Sequence, residues 1–78
     1  MCTAWWRAAL GDEWQALQCP LSARLLFDEY AANHRARQVL LSVKQGACEV
    51  RRVSGEVMGA WRWCPVQQAA VQELGLAL

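Results

Sequence analysis

The residues of this chain that could do chemistry are few and scattered. His34 is the only histidine. The two carboxylate pairs, Asp12-Glu13 and Asp28-Glu29, are sequence neighbours whose side chains would point about 100° apart on a helix, so neither pair is predicted to be a shared-proton dyad. No nucleophile elbow, phosphate loop, dinucleotide fingerprint or zinc-protease motif occurs. We therefore predict a protein that is not an enzyme, needs no cofactor and acts by surface contact.

The four cysteines, Cys2, Cys19, Cys48 and Cys64, lie far apart and form no C-x-x-C pair. This spacing predicts no metal site, and we interpret the thiols mainly as small apolar side chains. Cys19 and Cys64 each precede a proline at a predicted helix start, where a helix N-terminus can lower the pKa of a thiol. Inert packing is the favoured interpretation, and a reactive thiol is the alternative.

Charge is divided unevenly along the chain, although the net charge is only +1. The stretch from Arg35 to Arg62 holds six cations and two carboxylates, for a charge of +4, and the remainder holds two cations and five carboxylates, for −3. The uneven distribution predicts a basic middle segment beside acidic flanks. This basic surface is either a solvated sheet face that charge keeps soluble or a face for an acidic protein patch or phosphates.

Hydrophobic spacing predicts helices at both ends. Leu10, Trp14 and Leu17 follow Trp6 at helical intervals, which favours a first helix ending near Pro20. A second helix is expected from Pro20 or Leu21 to His34. At the other end, Pro65 suits a first helical position and Gly75 a stop, which predicts a last helix over 65–74.

Between these helices the period of the pattern changes to two. The alternation predicts strands over Val39–Lys44, Ala47–Val53 and Glu56–Trp63, with turns at Gln45-Gly46 and Ser54-Gly55. The predicted fold class is α+β: two N-terminal helices, a three-stranded antiparallel meander and a C-terminal helix packed on one sheet face. Residues 1–78 are expected to form a single small domain.

Four residues are the candidate partner-binding set. If the apolar side of the meander faces the helices, Lys44, Arg51 and Arg62 lie on the opposite, basic side. Trp5 is the anchor candidate, since Trp6, Leu10 and Trp14 already define a buried stripe and tryptophan is enriched at binding hot spots. Metal-binding and catalytic residues are not predicted.

Three resemblances bear on function. The helix, three strands and helix over Leu21–Leu74 resemble double-stranded RNA-binding domains, but the last predicted helix begins Pro65-Val66-Gln67-Gln68-Ala69 without their cations, so those RNA-binding residues do not carry over. Val39–Leu74 is similar to the three-strand-plus-helix DNA readers of plant transcription factors and integrase arm-binding domains, which implies Lys44, Arg51 and Arg62 in a major groove. In its brevity, dense tryptophan and lack of catalytic residues, the chain resembles phage-encoded inhibitors, including anti-CRISPR proteins.

The favoured hypothesis is a phage-type inhibitor that occludes a host protein complex. The alternative is a small DNA-binding regulator that uses the basic face of the three-stranded sheet. We expect a cytoplasmic protein with no membrane partner, because no apolar run is long enough to span a bilayer and no secretory signal precedes the domain. A homodimer is a further alternative, in which an edge strand or the apolar tail over 76–78 would form the contact between the two copies.

Overall fold

The computed structural model describes residues 2–17 and 29–75. Within these ranges the elements are β1 (Cys2–Arg7), β2 (Gln15–Leu17), α1 (Glu29–Val43), β3 (Ala47–Arg52), β4 (Val57–Cys64) and β5 (Ala69–Leu74). The strands form a five-stranded antiparallel sheet in the order β2-β1-β3-β4-β5. The predicted fold class, with its two N-terminal helices, three-stranded meander and C-terminal helix, is therefore wrong.

The first predicted helix is replaced by β1, a loop and β2. Cys2 and Ala4 are buried while Thr3 and Trp5 are only half-buried, which is the period-two pattern of a strand. β1 lies between β2 and β3, with Ala4 opposite both Leu17 and Val50. Pairing on both sides outweighs the helical spacing of the large apolar residues, because strand preference depends on such neighbours.

Helix α1 extends through the first predicted strand, so the strand over Val39–Lys44 is wrong. Ala32, Ala36 and Leu40 are completely buried at intervals of four residues, which is the inner stripe of a helix. The second predicted helix partly agrees, since its described portion from Glu29 is helical, while residues 18–28 lie outside the described part. Within the described residues, no helix is long and apolar enough to cross a membrane.

The last predicted helix is also wrong. Residues 65–68 form a turn with Gln68 in the left-handed region (φ 50°), and Ala69–Leu74 return as β5 beside β4. The resemblances to RNA-binding domains and to sheet-plus-helix DNA readers required a helix here and therefore fail. The predicted strands over 47–53 and 56–63 correspond to β3 and β4 and are joined by the predicted Ser54-Gly55 turn.

The core lies between α1 and one face of the sheet. Small residues occupy much of this interface, which lets the helix backbone approach the strands closely; the buried cluster is Cys2, Ala4, Ala32, Ala36, Leu40, Cys48, Val50 and Trp61. The Cys48 thiol donates a hydrogen bond to the Ala36 carbonyl at 3.6 Å.

A buried side-chain amide joins the two layers. Asn33, 1% exposed, accepts a hydrogen bond from Trp61 Nε1 at 2.8 Å and donates one from Nδ2 to the Glu29 carbonyl at 2.8 Å. Gly59 lies directly below, and a Cβ atom there would overlap the Asn33 carboxamide. The amide, the indole and the glycine together determine how the helix sits on β4.

We expect Asn33→Ala to lower the free energy of unfolding by about 1–3 kcal/mol, because it leaves the buried Trp61 N–H without a partner. Gly59→Ala should cost about 1–3 kcal/mol by overpacking. The second cost should shrink in the Asn33→Ala background, where the obstructing carboxamide is gone. Urea unfolding followed by tryptophan fluorescence gives the free energy of unfolding of the wild type, the two single variants and the double variant. Additive costs, within about 0.5 kcal/mol, would contradict the proposed contact.

Burial raises the pKa of the Cys48 thiol from 9.0 to about 12, with the Arg35 guanidinium opposing part of the rise. Above pH 9 the thiol in the unfolded chain releases its proton while the folded protein retains it. The free energy of unfolding should therefore fall as pH rises from about 9 towards 12, by roughly 1 kcal/mol per pH unit. Denaturation of reduced wild type and Cys48→Ala between pH 8 and 10.5 tests this, and equal slopes would rule it out.

Candidate functional site

The sheet face opposite α1 carries aromatic and cationic side chains. Alternation in β1, β3 and β4 sends Ala4, Val50 and Trp61 to the helix and their neighbours to the other side. We call this other side the arginine–tryptophan face; its defining residues are Trp5, Arg7, Trp14, Arg51 and Arg62. Among the described residues, the helix packs on the opposite side alone.

Two arginines stack on the tryptophans of this face. The Arg7 guanidinium carbon lies 4.3 Å from the centroid of the Trp14 ring. The Arg51 guanidinium carbon lies 5.1 Å from the Trp5 ring and 5.3 Å from the Trp14 ring. All three distances are within the range of cation–π attraction. Arg51 therefore links β1 to the segment that enters β2.

Carboxylates hold two of the arginines. Arg51 donates from Nε and Nη2 to Glu49 Oε1 at 3.1 and 2.7 Å, and both side chains are 27% exposed. Arg62 Nε lies 3.4 Å from Glu73 Oε2, with both side chains about half exposed. Pairs as exposed as the second contribute about 0–1 kcal/mol, so Arg62 is free to exchange its partner. Arg51 is fixed far more firmly, since it also stacks on two indoles.

A groove opens at one end of the arginine–tryptophan face. Its volume is about 380 Å³, and it lies between Arg7, the loop after β1, the start of β3 and the pair of Arg62 and Glu73. Gly46, with φ 87°, forms part of the wall. A Cβ atom at Gly46 would collide with the Arg7 carbonyl, so glycine is required for β3 to begin this close to β1.

The structure brings three of the four candidate binding residues together. Trp5, Arg51 and Arg62 share the arginine–tryptophan face, although Trp5 is half-buried under Arg51. Lys44 is elsewhere: it follows α1 with φ 56° and donates its backbone N–H to the Leu40 carbonyl at 2.8 Å. Its expected place on a strand was wrong because that strand is helix.

Two residues of the face, Arg7 and Trp14, were missed from the sequence. The helical spacing predicts Trp14 in a buried stripe, and Arg7 is not among the predicted binding residues. The alternation of Cys2, Ala4 and Trp6 with Thr3, Trp5 and Arg7 is visible in the sequence and would have indicated that Arg7 shares a side with Trp5. Trp14 precedes β2, and no local pattern indicates its side. No described group of three or more histidine, cysteine or acidic side chains is arranged to hold a metal ion.

Cys64 lies at the end of β4, beside the face. A hydrogen bond from the Gln67 backbone lowers the pKa of its thiol; burial opposes this, and the Val66 backbone and the Arg62 side chain lower it further. The predicted helix N-terminus is absent, yet the amides of the 65–68 turn have the same effect on the thiolate. The pKa of the Cys48 thiol, in the core, is instead raised by burial.

Both thiols are buried, with Cys64 8% exposed and Cys48 1% exposed, and the lowered pKa of Cys64 gives it the larger thiolate fraction. We expect Cys64 to be alkylated by iodoacetamide at pH 7.5 before Cys48, because the thiolate is the reacting form. Peptide mass spectrometry after timed quenching gives the rate at each site in the folded protein. Denatured protein is the control, in which the two sites should react alike. Faster modification of Cys48 in the folded chain would contradict the assignment.

Comparisons of the chain with protein-family models, with curated proteins and with solved structures find no match.

Proposed function

We propose that this protein is a non-enzymatic binding protein that covers a surface of a partner protein with its arginine–tryptophan face. The observation that carries the proposal is the position of Arg51 between Trp5 and Trp14. Covering a partner in this way is how a small inhibitor of a host protein complex would act, as the resemblance to phage-encoded inhibitors implies.

Residue type and order both support protein binding. Tryptophan and arginine are the residues most enriched at binding hot spots. Here their side chains are already held, since Glu49 pairs with Arg51 and the indoles stack against it. A partner that docks on them would have to immobilise few additional rotamers, which removes part of the entropic cost of association.

The charge pattern favours a protein over a nucleic acid as partner. Glu49 pairs with Arg51 and Glu73 with Arg62, so each cation has a carboxylate beside it, and Lys44 is on none of the strands. Duplex binders instead neutralise several phosphates with uncompensated cations. The alternative of a DNA-binding regulator relied on Lys44, Arg51 and Arg62 lying together on a three-stranded sheet, and that arrangement is not present.

The test is affinity capture from host-cell lysate with the wild type and the double variant Trp14→Ala/Arg51→Glu. We expect the variant to lose the captured protein by at least tenfold, because two central contacts are removed or reversed. Arg37→Glu, on the outer side of α1, is the matched charge-reversal control and should retain the partner. Circular dichroism of each protein establishes that it is folded.

Nuclease treatment before capture separates the two classes of partner. A protein partner should survive the treatment, and the free protein should not bind duplex DNA at low salt. Capture that is identical for wild type and double variant contradicts use of this face. Nuclease-sensitive capture with steeply salt-dependent DNA binding would establish a nucleic-acid binder instead. Native mass measurement of the free protein tests the homodimer.

A further inference from the structure

The groove beside the arginine–tryptophan face has an unequal charge balance. Among residues 2–17 and 29–75 the ion pairs are Arg51–Glu49, Arg52–Glu56 and Arg62–Glu73, so Arg7 takes part in none of them. Arg7 and Arg62 both line the groove, and Glu73 is its one carboxylate. The described lining thus carries a net charge of +1.

Strand register places these cations on one row. Arg7 is opposite Ala47 in β3, and Ala47 is opposite Arg62 in β4. The small methyl group of Ala47 between the two arginines leaves the space that forms the groove. With a guanidinium group on each side of the Ala47 methyl group, the groove is suited to a planar anion that can accept two hydrogen bonds.

The rest of the lining is apolar. Ala8, Ala9 and Leu10 form the wall contributed by the loop after β1, and Leu10 is 91% exposed. An exposed leucine beside two arginines offers contact area to an apolar residue next to the anion. The combination matches a carboxylate side chain in a peptide segment that also carries an apolar residue.

We propose that this groove binds an aspartate or glutamate side chain of the partner protein, with an adjacent apolar partner residue packed on Leu10. The inference rests on the proposed function, since it specifies which chemistry the partner brings to the face. The incoming carboxylate takes Arg7 as its first partner and competes with Glu73 for Arg62. A nucleic-acid strand fits less well, because its closely spaced phosphates would also pass Glu49 and Glu73 on the same face.

A random twelve-residue peptide library displayed on phage is the probe. Selection on the immobilised wild type should enrich peptides with an acidic residue at a fixed distance from an apolar one. The best peptide is then synthesised with its acid intact and with the corresponding amide, and both are titrated by fluorescence anisotropy. We expect the amide form to bind wild type about tenfold or more weakly, the loss of a charge-assisted hydrogen bond.

The decisive comparison repeats the titration with Arg7→Gln/Arg62→Gln, in which acid and amide peptides should bind alike. Arg62→Gln alone, at a half-exposed position, carries the test if the double variant does not fold. Compared with Arg62→Gln, Arg62→Lys should restore part of the preference for the acid peptide over the amide peptide. Lysine supplies the positive charge but not the bidentate donor geometry of the guanidinium. Arg37→Gln is the matched control and should leave the preference unchanged.

The outcomes separate this inference from the proposed function. If the selected peptides require Trp14 and Arg51 but bind equally as acid and amide, the carboxylate site in the groove is wrong and the proposed function is unaffected. An acid preference that persists in the arginine variants would also overturn it, because the carboxylate would then bind elsewhere. Failure to enrich any peptide that depends on the face would count against both proposals.

Discussion

The carboxamide of Asn33 determines how helix α1 lies on the sheet. Its oxygen accepts the Trp61 N–H and its nitrogen donates to the Glu29 carbonyl, so the polar atoms of a side chain that is 1% exposed are used on both layers. The close approach needs Gly59 below it. Rotation of the helix would leave buried polar groups unpaired, at a cost of several kcal/mol in total.

Strand alternation distributes the tryptophans between the two sheet faces. On the helix side, Trp61 is buried with its N–H satisfied, and Trp6 and Trp63 pack at the margins of a core made of small residues. Trp5 and Trp14 belong to the opposite side, where Arg7 and Arg51 stack on them. The arginine stems cover part of this aromatic area while their charged ends stay accessible.

The sequence predicted β3, β4 and the turn between them, because those strands are neighbours joined by Ser54-Gly55 and their pattern is local. It failed where pairing is distant or the pattern is ambiguous. Val39, Leu41 and Val43 alternate, but Leu40 and Ala36 are spaced equally well for a helix, and burial under the sheet selects the helix. Pro65 and Gly75 can bound a hairpin strand as readily as a helix. Only the pairing of β5 with β4 shows that the segment is a strand.

The candidate site likewise combines residues that a local pattern predicts with residues that only distant strand pairing brings in. Arg51 and Arg62 were assigned to one surface from local alternation, whereas Arg7 and Trp14 join them through the pairing of β1 with β2 and β3, which no local pattern specifies. That pairing gives the two ends of the face different physical roles. At the centre, Arg51 is held by Glu49 and two indoles, so it supplies a rigid contact area. At the groove, Arg7 takes part in none of the described ion pairs and Arg62 is held only by its exposed pair with Glu73. If the face binds a partner as proposed, these two cations would contribute to selection among partners more than to affinity.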